Sequence, residues 1–138
     1  ALYLGSATVA TLGAVYLMER RGYSITILLG AGIMGISLVV TPLVTDMLTF
    51  EGLQVIGGAG RGLATTTLMA LSIRAAAPAH RATAMGVYQA LYAIGMLTGP
   101  VLGGFAAEGL GLGSVFYMSG ASALAAGGLV LLPGSARR

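Results

Sequence analysis

An all-α, polytopic membrane helix bundle with five transmembrane helices is the fold class this sequence predicts, and three observations predict it. Of 138 residues, 57% are hydrophobic and 8% charged, against roughly a quarter charged in ordinary soluble domains. The apolar residues form five runs, at about 2–18, 24–44, 52–73, 83–106 and 114–133, each near the ~20 residues that cross a hydrocarbon core as a helix. Nearly all the charge sits in the breaks between runs, and its sign alternates from one break to the next. Strands are excluded, because a membrane barrel needs alternating apolar and polar residues and these runs are continuously apolar.

The first run begins at Ala1 rather than Met and has no basic leader of the kind a signal peptide carries, so residues 1–138 are expected to be part of a bundle. It closes on Glu19-Arg20-Arg21-Gly22. The second run carries Gly30, Ala31, Gly32 and Gly35, small residues that let helices approach closely in lipid, and ends at Thr45-Asp46. The third follows Glu51, contains Gly57-Gly58-Ala59-Gly60, and ends in the loop from Arg74 to Arg81, with Pro78 inside it. The fourth ends at Glu108-Gly109, and the fifth runs to Pro133 before a short tail with Arg137 and Arg138.

Lys and Arg are retained on the cytoplasmic side of membrane proteins. Arg20 and Arg21, Arg74 and Arg81, and Arg137 and Arg138 occupy alternate breaks, whereas the breaks between them carry Asp46, Glu51 and Glu108 and no basic residue. A multi-pass protein of the inner (cell) membrane with a cytoplasmic C-terminus is therefore expected. The net charge of +3 is topological: the arginines do not gather into the stripe that nucleic acid requires. Cysteine is absent and the single histidine, His80, has no companion at metal-ligand spacing, so no metal site or cofactor is expected. Neither paired carboxylates nor a nucleophile–base pair is present, which argues against an enzyme.

Two constellations could carry function. Arg61 lies nine residues into the third run, where a charge at the bilayer centre costs at least ~2.5–3.5 kcal/mol on insertion scales. Gln54, Arg61, Thr65 and Ser72, offset by 7, 11 and 18 residues from the first, fall in one narrow stripe at ~100° per residue. Such a stripe faces protein or water, and a path for a small-molecule substrate accounts for it; snorkelling of Arg61 beside the local glycines is the plainer alternative. In the fourth run Tyr88 and Tyr92 share a face with Gly95, Gly99 and Gly103, and Gln89 lies about a quarter-turn away. Pro100 removes a backbone donor within that run, which bends the helix or makes it bendable.

The order Gly86, Gly95, Gly99-Pro100, Gly103-Gly104 resembles the glycine–proline motif in the fifth helix of drug–proton antiporters of the major facilitator superfamily, and matches it at every fixed position. Glu19-Arg20-Arg21-Gly22-Tyr23 resembles the superfamily's basic loop, with Glu for Asp, Tyr for the final Arg, and Val15 where an upstream Gly is usual. The phrases LMALSIRAAAP and RATAMGVYQALYAIGM and the short basic tail resemble the tenth-to-twelfth-helix region of bacterial members. The resemblance covers the whole chain and assigns its helices as eight to twelve; the glycine–proline motif alone assigns two to six, and both stand.

The resemblance implies one bundle of a secondary active transporter working by alternating access, with drug or metabolite efflux coupled to protons as its narrower form. It implies a hinge or seal at the glycine–proline face, a gate latch or topological anchor at residues 19–22, and Gln89 or Tyr92 within reach of substrate. The partners would be the lipid bilayer and missing helices of the same transporter. A non-transporting membrane scaffold or assembly subunit is the competing class, and it gives the central arginine little purpose.

Overall fold

The computed structural model describes residues 2–131. Five long helices follow one another: α1 (Leu2–Arg21), α2 (Tyr23–Val40), α3 (Met47–Arg74), α4 (Arg81–Leu110) and α5 (Leu112–Leu129). No strand occurs among the described residues. Short 3-10 turns at Thr41–Leu43 and Pro78–His80 each start beside a proline, which cannot continue a helical hydrogen-bond ladder but fits a first turn.

Single glycines make the two tightest connections. Gly22 joins α1 to α2 at φ 84° and ψ 165°, and Gly111 joins α4 to α5 at φ 86° and ψ 161°. This region is open essentially to glycine alone, so each residue reverses the chain where a side chain would be strained. Ser114 fastens the second reversal by donating its hydroxyl to Ala106 O at 3.0 Å and Gly111 O at 2.7 Å. α3 begins at Asp46, whose carboxylate accepts from the Thr49 amide at 2.8 Å. Hydrogen bonds from the Thr49 side chain and then the Thr49 amide hold the Asp46 carboxyl below the usual aspartate range, so the cap is made at neutral pH and is lost on acidification through that lowered pKa.

α2 and α3 hold the middle of the bundle. α1 lies along α3 in parallel, and Tyr3 meets Gly58, Ala7 meets Gly62 and Thr11 meets Thr66, three contacts one turn apart at a constant offset of 55 residues. α2 crosses α3 antiparallel at Gly30, Gly60 and Ala64, and packs its other side on α5 at Gly35, Val39 and Gly120. The helices meet backbone to backbone: a β-carbon on Gly30 would stand 2.6 Å from the Ala64 amide nitrogen, and one on Gly58 would overlap the Tyr3 carbonyl oxygen. Of the four small residues expected to pack in α2, Gly30, Ala31 and Gly35 do; a β-carbon on Gly32 would meet nothing within 4 Å among the described residues, because Gly32 lies outside the two faces that meet α3 and α5.

The buried apolar residues are Ala14, Ile27, Ala31, Ala64 and Ala123, whereas large side chains such as Leu12, Ile36, Leu97 and Phe105 are exposed. Small inside and large outside is the reverse of a water-soluble core, and is what helices surrounded by lipid tails require. Thr26 and Thr67 are fully buried, and each donates its hydroxyl to the carbonyl four residues back, Gly22 O at the start of α2 and Leu63 O in α3, which removes the cost of burying it.

Among the described residues three helical segments are long and apolar enough to cross a membrane: Tyr23–Leu43, Pro78–Leu110 and Leu112–Leu131, with mean hydropathies of 2.1, 1.5 and 1.5. α1 and α3 do not join them. In α3 the reason is the central arginine together with Gln54, Thr65, Thr66, Thr67 and Ser72, tolerated in a helix that α1 and α2 flank.

The ends of the helices sort by charge. Arg74 stacks over the Tyr23 ring at 5.1 Å, tying the end of α3 to the α1–α2 reversal that carries Arg20 and Arg21. Arg20 covers Tyr16 at 4.9 Å. At the opposite end Gly113, beyond Glu108, approaches Pro42. Arg137 and Arg138 lie outside the described residues.

Candidate functional site

α3 is 28 residues long, and Arg61 sits at its middle, about 21 Å from either end at ~1.5 Å per residue. It is half-buried. A guanidinium at that depth must be solvated or matched, and two tyrosines do the matching. Arg61 Nη2 donates to Tyr92 Oη at 3.1 Å, and the guanidinium carbon stands 5.8 Å from the centre of the Tyr3 ring. α1 thus supplies a ring on one side and α4 a phenol on the other.

Beside Arg61 lies a cleft of about 210 Å³ between α3 and α4, lined by Arg61, Thr65, Thr66, Met69, Tyr88, Gln89 and Tyr92. The one-turn spacing of Tyr88 and Tyr92 turns both rings toward α3, where they lie nearly parallel, 6.4 Å apart with 16° between their planes. Tyr88 Oη reaches the Thr65 carbonyl at 3.4 Å, and Thr65 returns its own hydroxyl to Arg61 O at 2.8 Å. Thr66 Oγ1 donates to Thr11 Oγ1 at 3.3 Å, linking the cleft floor to α1. No carboxylate lines the cleft.

The expected residues divide. Arg61, Thr65, Tyr88, Gln89 and Tyr92 converge on the cleft. Gln54 and Ser72 share their stripe but not the cleft: Gln54 is two turns, roughly 10 Å, along the helix, and Ser72 turns its hydroxyl back to Leu68 O at 2.8 Å. A common angle places residues on a face, not at a depth. Tyr3, Thr66 and Met69 were not read from the sequence; Thr66, next to Thr65, carried a compositional signal, whereas Tyr3 arrives through the register between α1 and α3.

α4 continues as one helix through Pro100. The tyrosine end of that shared face meets α3, but its glycine end meets little of this chain. Around Gly86, Gly95, Gly99 and Gly104 a β-carbon would find nothing within 4 Å, and at Gly103 it would touch Val115 at 3.4 Å. No residue of α4 is buried. The closest helix contacts are instead those of Gly30, Gly58, Gly60 and Gly62. Among residues 19–22, Gly22 makes the reversal, Arg20 covers Tyr16, and Glu19 and Arg21 are exposed.

Searches of curated proteins and of solved structures return no match. A family model described as Major Facilitator Superfamily matches residues 1–138, the whole sequence. All-helical, lined outside with large apolar side chains and matched from end to end, this chain belongs to the major facilitator superfamily of membrane transporters.

Proposed function

We propose that the chain supplies five membrane-spanning helices, α1 and α3 among them, to one bundle of a secondary active transporter that moves a small solute by alternating access, with the Arg61 cleft on the path. The observation that carries this reading is a permanent cation at the centre of α3, held by tyrosines at the edge of a cleft large enough for a small molecule. A scaffold gains nothing from that cost, whereas a solute path uses the charge and the water around it.

The uncovered glycine face of α4 suits further helices of the same transporter, which would close against Gly95, Gly99 and Gly103 and use Pro100 as a hinge. Efflux of a drug or metabolite in exchange for protons is the narrower form of the proposal. In that form the titrating carboxylate comes from those helices, since the cleft lining holds none.

The arginine-bearing ends gathered around Tyr23 face the cytoplasm of a multi-pass inner-membrane protein, as does the C-terminus. These 138 residues contain no cysteine, and a full-length protein freed of any other cysteines gives a direct test. Single cysteines in the 74–82 loop of the full-length protein should resist an impermeant thiol reagent applied to intact cells, and cysteines near Glu108 should react. Labelling of the 74–82 loop from outside would reverse this topology.

A further inference from the structure

Resting on the reading of the cleft as a solute path, we infer that the solute is a small monocarboxylate carried on a flat apolar body. Three features select it. Arg61 is a permanent charge with five N–H donors, and its Nη2 donates to Tyr92 Oη. The Tyr92 oxygen accepts that bond, so its own O–H is left to donate beside the guanidinium. A carboxylate presents two acceptor oxygens to such a pair, one for the fork and one for the phenol.

The second feature is charge balance. Among the described residues the cleft lining has one cation and no anion, so a singly charged ligand neutralises it, whereas a phosphate dianion would bring an unmatched second charge and a cation would face Arg61 directly. The third is shape. Tyr88 and Tyr92 lie 16° from parallel, Tyr88 Oη reaches the Thr65 carbonyl while Tyr92 Oη accepts from Arg61, and both tyrosines line the wall together with Met69. A flat ring slides along such a wall, and methionine adapts to what it carries. The 210 Å³ volume accommodates a single-ring acid.

The test uses the purified full-length transporter with benzoate, phenylacetate, benzamide and benzylammonium, with binding measured by calorimetry and uptake measured in proteoliposomes. The two acids should bind about tenfold or more tighter than benzamide, the discrimination a charge-assisted hydrogen-bond pair provides, and benzylammonium should not compete. Arg61→Gln should bring benzoate down to the affinity of benzamide, and Arg61→Lys should fall between, keeping the charge without the fork. Tyr92→Phe should weaken the acids several-fold and leave benzamide unchanged, which a merely structural loss would not do.

Equal binding of benzoate and benzamide, preference for benzylammonium, or no binding of any probe overturns the carboxylate assignment. Acids that bind in an Arg61-dependent way without being taken up keep that assignment and overturn the transport reading. Uptake of benzamide or benzylammonium that depends on the cleft does the reverse.

Discussion

Arg61→Ala in the full-length transporter should abolish transport while membrane insertion and expression stay near normal. The substitution removes a charge whose insertion costs at least ~2.5–3.5 kcal/mol at mid-membrane, so folding has little reason to suffer. Its loss leaves the Tyr92 phenol and the Tyr3 ring facing an empty site in place of a guanidinium. Arg61→Lys should restore activity only in part, because an ammonium is a point charge on a flexible stem and cannot engage a phenol and a planar anion at once as a fork does. Transport measured at matched surface expression checks both variants. Arg61→Leu with normal transport and raised thermal stability would make the residue a tolerated structural arginine.

A large stability effect should come from α3, at a glycine that no motif singles out. Gly60→Ala would place its β-carbon 2.6 Å from the Met34 amide nitrogen and 2.8 Å from the Gly30 carbonyl oxygen. Backbone atoms cannot turn aside as a side-chain end can, so α2 and α3 must separate. The cost should lie toward the upper end of the roughly 1–3 kcal/mol typical of overpacking. Gly32→Ala is the control: its β-carbon meets nothing within 4 Å, and alanine gains about 0.8–1 kcal/mol of helix propensity over glycine. Thermal unfolding in detergent should therefore show Gly60→Ala well below the unmodified protein and Gly32→Ala at or above it. Equal midpoints for the two would remove the backbone-contact account of the α2–α3 seam.

These two residues also show what could be read from the sequence alone. Helix class and loop placement were legible because they depend on runs and breaks, which are local. The cleft was legible where one helix fixed the geometry: Tyr88 and Tyr92 one turn apart, Arg61 and Thr65 one turn apart. It was not legible where two helices had to be set against each other. Tyr3 and Thr66 reach the site through the Tyr3–Gly58, Ala7–Gly62 and Thr11–Thr66 register, a property of the packed pair rather than of either segment. The same limit applies to the glycines. Spacing drew attention to Gly95, Gly99 and Gly103 in α4, yet within this chain the backbones touch at Gly30, Gly58, Gly60 and Gly62, because spacing defines a groove and does not name what fills it.

The central claim is that the Arg61 cleft is a water-accessible path, and thiol accessibility at its rim tests it most directly. Thr66 and Gln89 line the cleft, whereas Leu97, 76% exposed, is turned well away from the tyrosine face of α4. In a full-length protein without other cysteines, Thr66→Cys and Gln89→Cys should react with a small hydrophilic thiol reagent, and Leu97→Cys should not. Cleft thiols as inert as the one at position 97 would contradict the account.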